Sequence, residues 1–240
     1  MNRTFKLAAI GLALTTLAAC DDNDSTPVAM DPVDDTPPPV TQMEYHYTVT
    51  VTNLTNAQPM SPVAVMLHQD GMLWQIGQSA SVALETMAES GDNSALMAES
   101  AVVASSSSEG ILMPGTMTDV TVMTTDENAM KLTLSTMLVN TNDAFSGLNA
   151  VDISNLAVGE SMSYNTHVYD AGTEGNSEMA GTIPGPADGG EAFNEARDDV
   201  DFVAMHPGVV SMHDGLSTSV LSAEHKFDNP AMKVTIMRMQ

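Results

Sequence analysis

Residues 45–54 read YHYTVTVTNL, and this stretch decides the fold class. Tyr45, Tyr47, Val49 and Val51 fall on one side of a period-two pattern; His46, Thr48, Thr50 and Thr52 fall on the other. Such alternation of aromatic and β-branched residues with polar ones predicts a strand with one face against a core. Asn53-Leu54-Thr55-Asn56 then reads as a turn, and Ser61–His68 as a second, more buried strand. The pattern returns at Thr116–Met123, Ser161–Tyr169 and Met232–Met239. It also returns at Lys131–Val139, where Leu132, Leu134 and Thr136 alternate with Lys131, Thr133 and Ser135.

Helical signal is confined to the middle of the chain. Ser79–Ser90 places Val82, Ala83 and Met87 near one face, and Gly91-Asp92-Asn93 breaks the pattern. Ala95–Ala104 reads as a second short helix, and Ser105–Ser108 as a polar loop. Short strands separated by loops carrying Gly, Pro, Asn and Asp predict an all-β protein, an antiparallel β-sandwich with one or two short helices in a connection. There is no internal repeat and no second shift of composition, so residues 43–240 are expected to form one domain.

The N-terminus obeys different rules. Met1–Lys6 carries two cations, Leu7–Leu17 is a short apolar run, and Leu17-Ala18-Ala19-Cys20 supplies small residues before a cysteine. This is the pattern of a secretory leader over residues 1–20, too short to span a bilayer. Residues 21–42 are rich in Asp, Pro and Thr, offer almost nothing to bury, and read as a disordered tether. Cys20 is the chain's single cysteine, so no disulfide is available downstream.

The formal charge is −24, which argues against nucleic acid and against direct adsorption to anionic lipid. It leaves open a generic acidic surface or local carboxylate clusters that hold cations. Of the second kind, residues 169–176 (YDAGTEGN) place Asp170 and Glu174 on a glycine-bearing turn. Leu138–Ile153 runs off an apolar strand into a loop containing Asn142, Asp143, Phe145 and Gly147. Asp143 precedes Asp170 by 27 residues. If the intervening segment crosses back, Asp143, Asp170 and Glu174 can converge as hard oxygen ligands. Such ligands suit Ca²⁺ rather than Zn²⁺. On spacing alone the two acids of the turn remain ligands, catalytic acids or solvated loop.

Other constellations are weaker. The twenty methionines form no cluster with a histidine, so packing is their expected role. His206, His213 and His225 match no compact metal template and are expected to make backbone hydrogen bonds. There is no GxSxG elbow, HExxH helix or phosphate-cradling glycine loop. Asp170 and Glu174 as a glycosidase pair would want an aromatic-lined cleft, in a chain with five Phe, four Tyr and one Trp.

Two resemblances add to this reading. Leu-Ala-Ala-Cys resembles the lipobox of bacterial lipoproteins, which implies acylation at Cys20, export, and a lipid anchor in a bacterial membrane, periplasmic or at the cell surface. TNDAFSGLNAVD followed by VYDAGTEGN resembles the spondin N-terminal domain family of the F-spondins and mindin. YHYTVTVTNL with Gln58–Pro62, Ile183–Pro186 and Asn229–Ile236 resemble further segments of its bacterial members. The resemblance implies a C2-like antiparallel sandwich with Ca²⁺ held by Asp143, Asp170 and Glu174, Glu174 standing where the family has aspartate. It implies a non-enzymatic role in adhesion or matrix contact, with an unknown extracytoplasmic protein or glycan as partner. The alternative is an envelope hydrolase using the Asp170 and Glu174 carboxylates.

Overall fold

The computed structural model describes residues 42–240, which fall in the chain's larger compact unit, Thr41–Gln240. The leader, Cys20 and the tether through residue 41 lie outside the described residues. Strand β1, Tyr45–Asn53, buries Tyr47, Val49, Val51 and Asn53 and turns its threonines outward, as its alternation predicts. It is flanked by β4 (Met117–Thr124) and β10 (Met232–Arg238), both antiparallel to it. β10 in turn pairs with β7 (Ser161–Asn165), giving a four-stranded sheet of order β4-β1-β10-β7.

The second sheet has six strands. These are β2 (Ala64–His68), β3 (Val102–Ser107), β5 (Lys131–Met137), β6 (Ala144–Asp152), β8 (His167–Asp170) and β9 (Ala204–Met205), in the order β3-β2-β5-β6-β8-β9. One face packs on the four-stranded sheet, where Val65, Leu67, Leu132, Leu134 and Val168 meet Tyr47, Val49, Val120, Val234 and Ile236. The other face is covered by helix α1 (Val82–Ser90) and helix α2 (Ser94–Met97), with Ala64, Met66, Met137 and Phe145 against Leu84, Met87 and Leu96. A sheet covered on both faces explains why every residue of β2 is buried. The molecule is an all-β sandwich with a thin helical layer on one side.

Several local expectations are corrected. Helix α2 stops at Met97, and Val102–Ala104, expected to lie in it, instead begin β3, which also takes in most of the expected serine loop. β3 pairs along β2, Ala64 with Ser107 and Leu67 with Ala104; that pairing outweighs the weak helical preference of Val-Val-Ala. On α1, Val82 is 67 % exposed, because the helix starts there behind its N-cap Ser81, and the buried side is Leu84, Glu85, Met87, Ala88 and Glu89. Gly91 ends the helix at φ +74 as expected. The methionines divide: Met60, Met66, Met87, Met137 and Met232 fill the core, while Met117, Met123 and Met72 lie at the surface.

Two corrections bear on the site. The expected loop after Leu138 is only a tight turn, closed by Leu138 N–H to Ala144 O and Thr141 O–H to Leu138 O, after which the chain enters β6. Ser161–Tyr169 is not one strand but two, in different sheets. The chain leaves β7 at Asn165, passes through Thr166, and resumes as β8 across the sandwich. Thr166 is buried at this crossing, its hydroxyl 2.7 Å from that of Ser146, and its backbone bonds Met232 O and Ala231 N. At the far end of β1, His46 pairs through its backbone with Met239 and Gln240.

Gly147 lies where β6 leaves no room for a side chain against β5. A Cβ there would lie 2.1 Å from Leu134 O and 3.1 Å from the Trp74 ring. Gly147→Ala is expected to cost about 1–3 kcal/mol as strand and indole are forced apart, read as a lowered urea midpoint with unchanged slope.

Candidate functional site

The crossing at Thr166 brings the two acidic segments together. β6 and β8 are antiparallel neighbours with Ala144 opposite Asp170, so Asp143, just before β6, and Asp170, the last residue of β8, share one sheet end. The turn that follows wraps back over Asp143. Asp170 Oδ1 accepts the Gly172 N–H at 2.8 Å, and Gly172 adopts φ +72 with the Phe202 carbonyl 2.2 Å from where a Cβ would stand. Only glycine fits that position. Thr173 N–H and Glu174 N–H then both donate to Asp143 Oδ2, at 3.0 and 3.1 Å.

Asp143 is fully buried, and its second oxygen, Oδ1, has no hydrogen-bond partner among the described residues. Burial, reinforced by the Asp170 charge and opposed by the Glu174 and Thr173 amides, pushes the Asp143 carboxyl up to about 8. Asp170 is itself 4 % exposed, its Oδ2 accepting the Asn176 amide at 2.6 Å. Asp199, which the sequence reading passed over, is raised by burial and then by Asp170. A buried carboxylate facing a second one with an unsatisfied oxygen is costly unless protonated or matched by a cation.

Glu174 is placed differently from Asp143 and Asp170. Its backbone joins the Asp143 cradle, but its carboxyl is pushed up to about 7 by burial and by Glu89, Asp198, Glu191 and Glu85, in that order. It therefore belongs to a second acidic group between α1 and the segment around Asn194–Asp198, lying in range of Asp143 as the weakest influence on it. Among the described residues, no three His, Cys, Asp or Glu side chains are spaced as a ready-made metal shell.

Two of the three candidate histidines, His206 and His225, behave as backbone partners. His206 Nδ1 accepts the Gly208 N–H at 2.9 Å, so the neutral ring carries its proton on Nε2. That nitrogen is buried and unpartnered, and the ring lines a small cavity of about 10 Å³ with Thr141, Asn142, Asn176 and Glu178. Burial lowers its pKa, against the pull of Asp170 and Glu178. His225 Nδ1 accepts the Ser222 N–H within a 3₁₀ turn, and His213 is exposed. Glu178, a further buried acid that the sequence reading missed, is satisfied by Val210 N–H, Ser211 N–H and Ser219 O–H.

The raised Asp143 carboxyl sets a pH dependence. An acid whose folded pKa exceeds its unfolded value holds its proton more tightly when folded, so its favourable contribution is complete below about pH 4 and is lost as pH rises through 8. For metal-free protein, Tm should fall between pH 5 and 8. In Asp143→Asn, a carbonyl oxygen still accepts from Thr173 and Glu174 while the amide N–H₂ can donate to Asp170. Its Tm should fall less and exceed wild type at pH 8, by on the order of 1–3 kcal/mol, about 2–4 °C for each kcal/mol. Parallel melting curves for the two proteins across this range would refute the assignment.

Residues 52–185 match the family model described as Spondin_N. The matched region contains both acidic segments and runs from within β1 to the Ile183–Gly185 turn. No curated protein matches the chain. Because the matched region covers more than half of the sequence, the chain belongs to the spondin N-terminal domain family.

Proposed function

We propose that the protein is a calcium-binding, lipid-anchored, non-enzymatic envelope protein whose sandwich displays its loops for adhesion or matrix contact. The observation that carries the calcium reading is the unpartnered, buried Asp143 Oδ1 beside Asp170. The donor chemistry fits a hard cation: carboxylate oxygens, with backbone carbonyls and the Asn142 and Asn176 side chains nearby, and no thiol. Asp143 and Asp170 would hold the ion, and Glu174, with one methylene more than aspartate, would reach it by turning from its acidic neighbours. A bound Ca²⁺ supplies the positive charge that the protein leaves out, and pins the 170–176 turn to the start of β6 where no disulfide is available.

The non-enzymatic reading is supported by where polar and aromatic groups have gone. Trp74, Phe145 and Tyr169 pack on one another at ring-centre distances of 5.2–5.9 Å, Trp74 edge-on to the other two, in the layer beneath α1 rather than lining a cleft beside Asp170. Ser222 Oγ lies 3.1 Å from His225 Nδ1, but that nitrogen already receives the Ser222 N–H, which makes the contact a turn cap rather than an activated nucleophile. Display on a membrane rests on the leader and Cys20, and the adhesive role on the family's conduct elsewhere, an analogy of fold.

Calcium at a hundredfold excess over its Kd should stabilise the protein by about 2.7 kcal/mol, a rise of several degrees in Tm reversed by chelator. Asp143→Asn and Asp170→Asn should abolish the response, whereas Glu174→Gln should weaken it. A wild-type melting curve indifferent to Ca²⁺ and chelator would end the calcium reading. For the anchor, metabolic labelling with a fatty acid should mark the protein expressed in a bacterium and fail with Cys20→Ser; label retained by that variant would remove Cys20 as the acceptor.

A further inference from the structure

The outward side of the four-stranded sheet is mostly hydroxyl-bearing. The Thr48 and Thr121 hydroxyls lie 3.4 Å apart across β1 and β4, and Thr50 donates to Asp119 at 2.6 Å, so opposite side chains on this face meet. At the end where the chain enters β1 the face changes character. His46 stands opposite Met123 of β4 on one side. On the other it faces Met239, one residue past the end of β10. The N–H groups of Met239 and Gln240 both donate to His46 O, at 2.7 and 3.4 Å, so two residues oppose one and the strand closes in a bulge.

Register thus sets a thioether, an imidazole and a thioether in one row. Directly opposite residues of antiparallel strands hold their Cβ atoms about 4.5–5.5 Å apart, close enough for two flexible thioethers and a ring to turn to one common point. Methionine is ordinarily a buried residue, yet Met123 is 56 % and Met239 53 % exposed. Met237, the diagonal neighbour of His46 in the next row, is also exposed. The ring is already held: His46 Nε2 lies 3.1 Å from Glu44 Oε2. The neutral imidazole therefore keeps its proton on Nε2 and its lone pair on Nδ1, as a carboxylate arranges a metal-binding histidine. Glu44 and Met123 also line an open cavity of about 330 Å³ beside β3, which gives the row access from solvent.

We propose that this row is a site for a soft monovalent cation, Cu(I), with Met123 Sδ, His46 Nδ1 and Met239 Sδ as its ligands. Thioether sulfur selects Cu(I) over hard cations, and imidazole nitrogen suits the same metal. Ca²⁺ takes oxygen ligands, so the row differs in chemistry from the Asp143–Asp170 pair and shares no residue with it. The inference depends on neither the calcium reading nor the lipid anchor. The spacing of residues 46, 123 and 239 along the chain announces no such site; strand pairing alone assembles it. Met117, the other outward methionine of β4, stands at the far end opposite Thr52 and serves as the comparison.

The test is a titration of purified protein carrying ¹³C-labelled methionine methyl groups, with Ag(I) as a redox-inert stand-in and then, without oxygen, with Cu(I) delivered in acetonitrile. Saturable shifts of the Met123 and Met239 methyl signals are expected at about one ion per chain, before the Met117 signal moves. Met123→Leu, Met239→Leu and His46→Gln should each weaken binding by at least about tenfold, and Met117→Leu should leave it unchanged. The methionines replaced are surface residues and leucine keeps their bulk, so these variants should melt with the wild type. Excess Ca²⁺ should not release the ion. Met123 and Met239 signals that move no more readily than that of Met117, an equal loss in Met117→Leu, or undiminished binding in the double variant His46→Gln/Met123→Leu would each overturn the proposal. Cu(I) binding at the row in a protein indifferent to Ca²⁺ would uphold it while the calcium reading falls.

Discussion

The structure turns on a carboxyl group placed where water cannot reach it. Asp143 enters β6 fully buried, with one oxygen satisfied by the turn after Asp170 and the other facing no donor. A buried, unmatched carboxylate is among the more expensive features a domain can carry. The surrounding backbone is arranged to hold it: two amides favour its charged form, although burial and the Asp170 charge outweigh them. The Thr173 and Glu174 amides, the left-handed Gly172 and the cap by Asp170 on Gly172 all belong to this arrangement.

That arrangement is possible because the six-stranded sheet is rigid on both faces. The inner face locks onto the four-stranded sheet and the outer face onto α1, so the ends of β6 and β8 are fixed by packing from two sides. The same helix supplies Glu85 and Glu89 to the neighbouring acidic group. One short element thus closes a core with its apolar residues and bears on Glu174 with its acidic ones. In a chain with a formal charge of −24, the two acidic groups flanking Glu174 are where carboxylates are gathered rather than spread.

How much of this could be read from the sequence follows from the range of the interactions concerned. β1, β4 and β10 carry a clean alternation because one face of their sheet meets water, and their bounds are legible to within a residue or two. β3 and β6 are hidden for opposite reasons. β3 is a serine-rich edge strand defined only by its partner β2, and β6 is interrupted by Gly147 and by an irregular register opposite Leu132–Leu134, with Ala150 at φ +54. The meeting of Asp143 with Asp170 is foreshadowed by two acidic motifs and the need for a crossing between them, but that the crossing falls at Thr166, inside one expected strand, is not. Nor does the sequence reveal Glu89, Asp199 or Arg197, since nothing local says that a helix face and a distant loop will meet.

The strand that revealed the fold also gives the molecule a polarity. Residue 45 begins β1 beside the C-terminal Gln240, while Asn53 ends it beside the turns that hold Asn140 and the start of β6; Gln58 and Asn140 stitch that end together. Nine residues of extended chain separate the two ends, roughly 25–30 Å. Any attachment made through the chain before residue 42 therefore pulls on one end of a stiff mast, and the acidic loops ride at its top. A load applied between them would run lengthwise through β1, shearing its hydrogen bonds to β4 and β10 together instead of unzipping them singly.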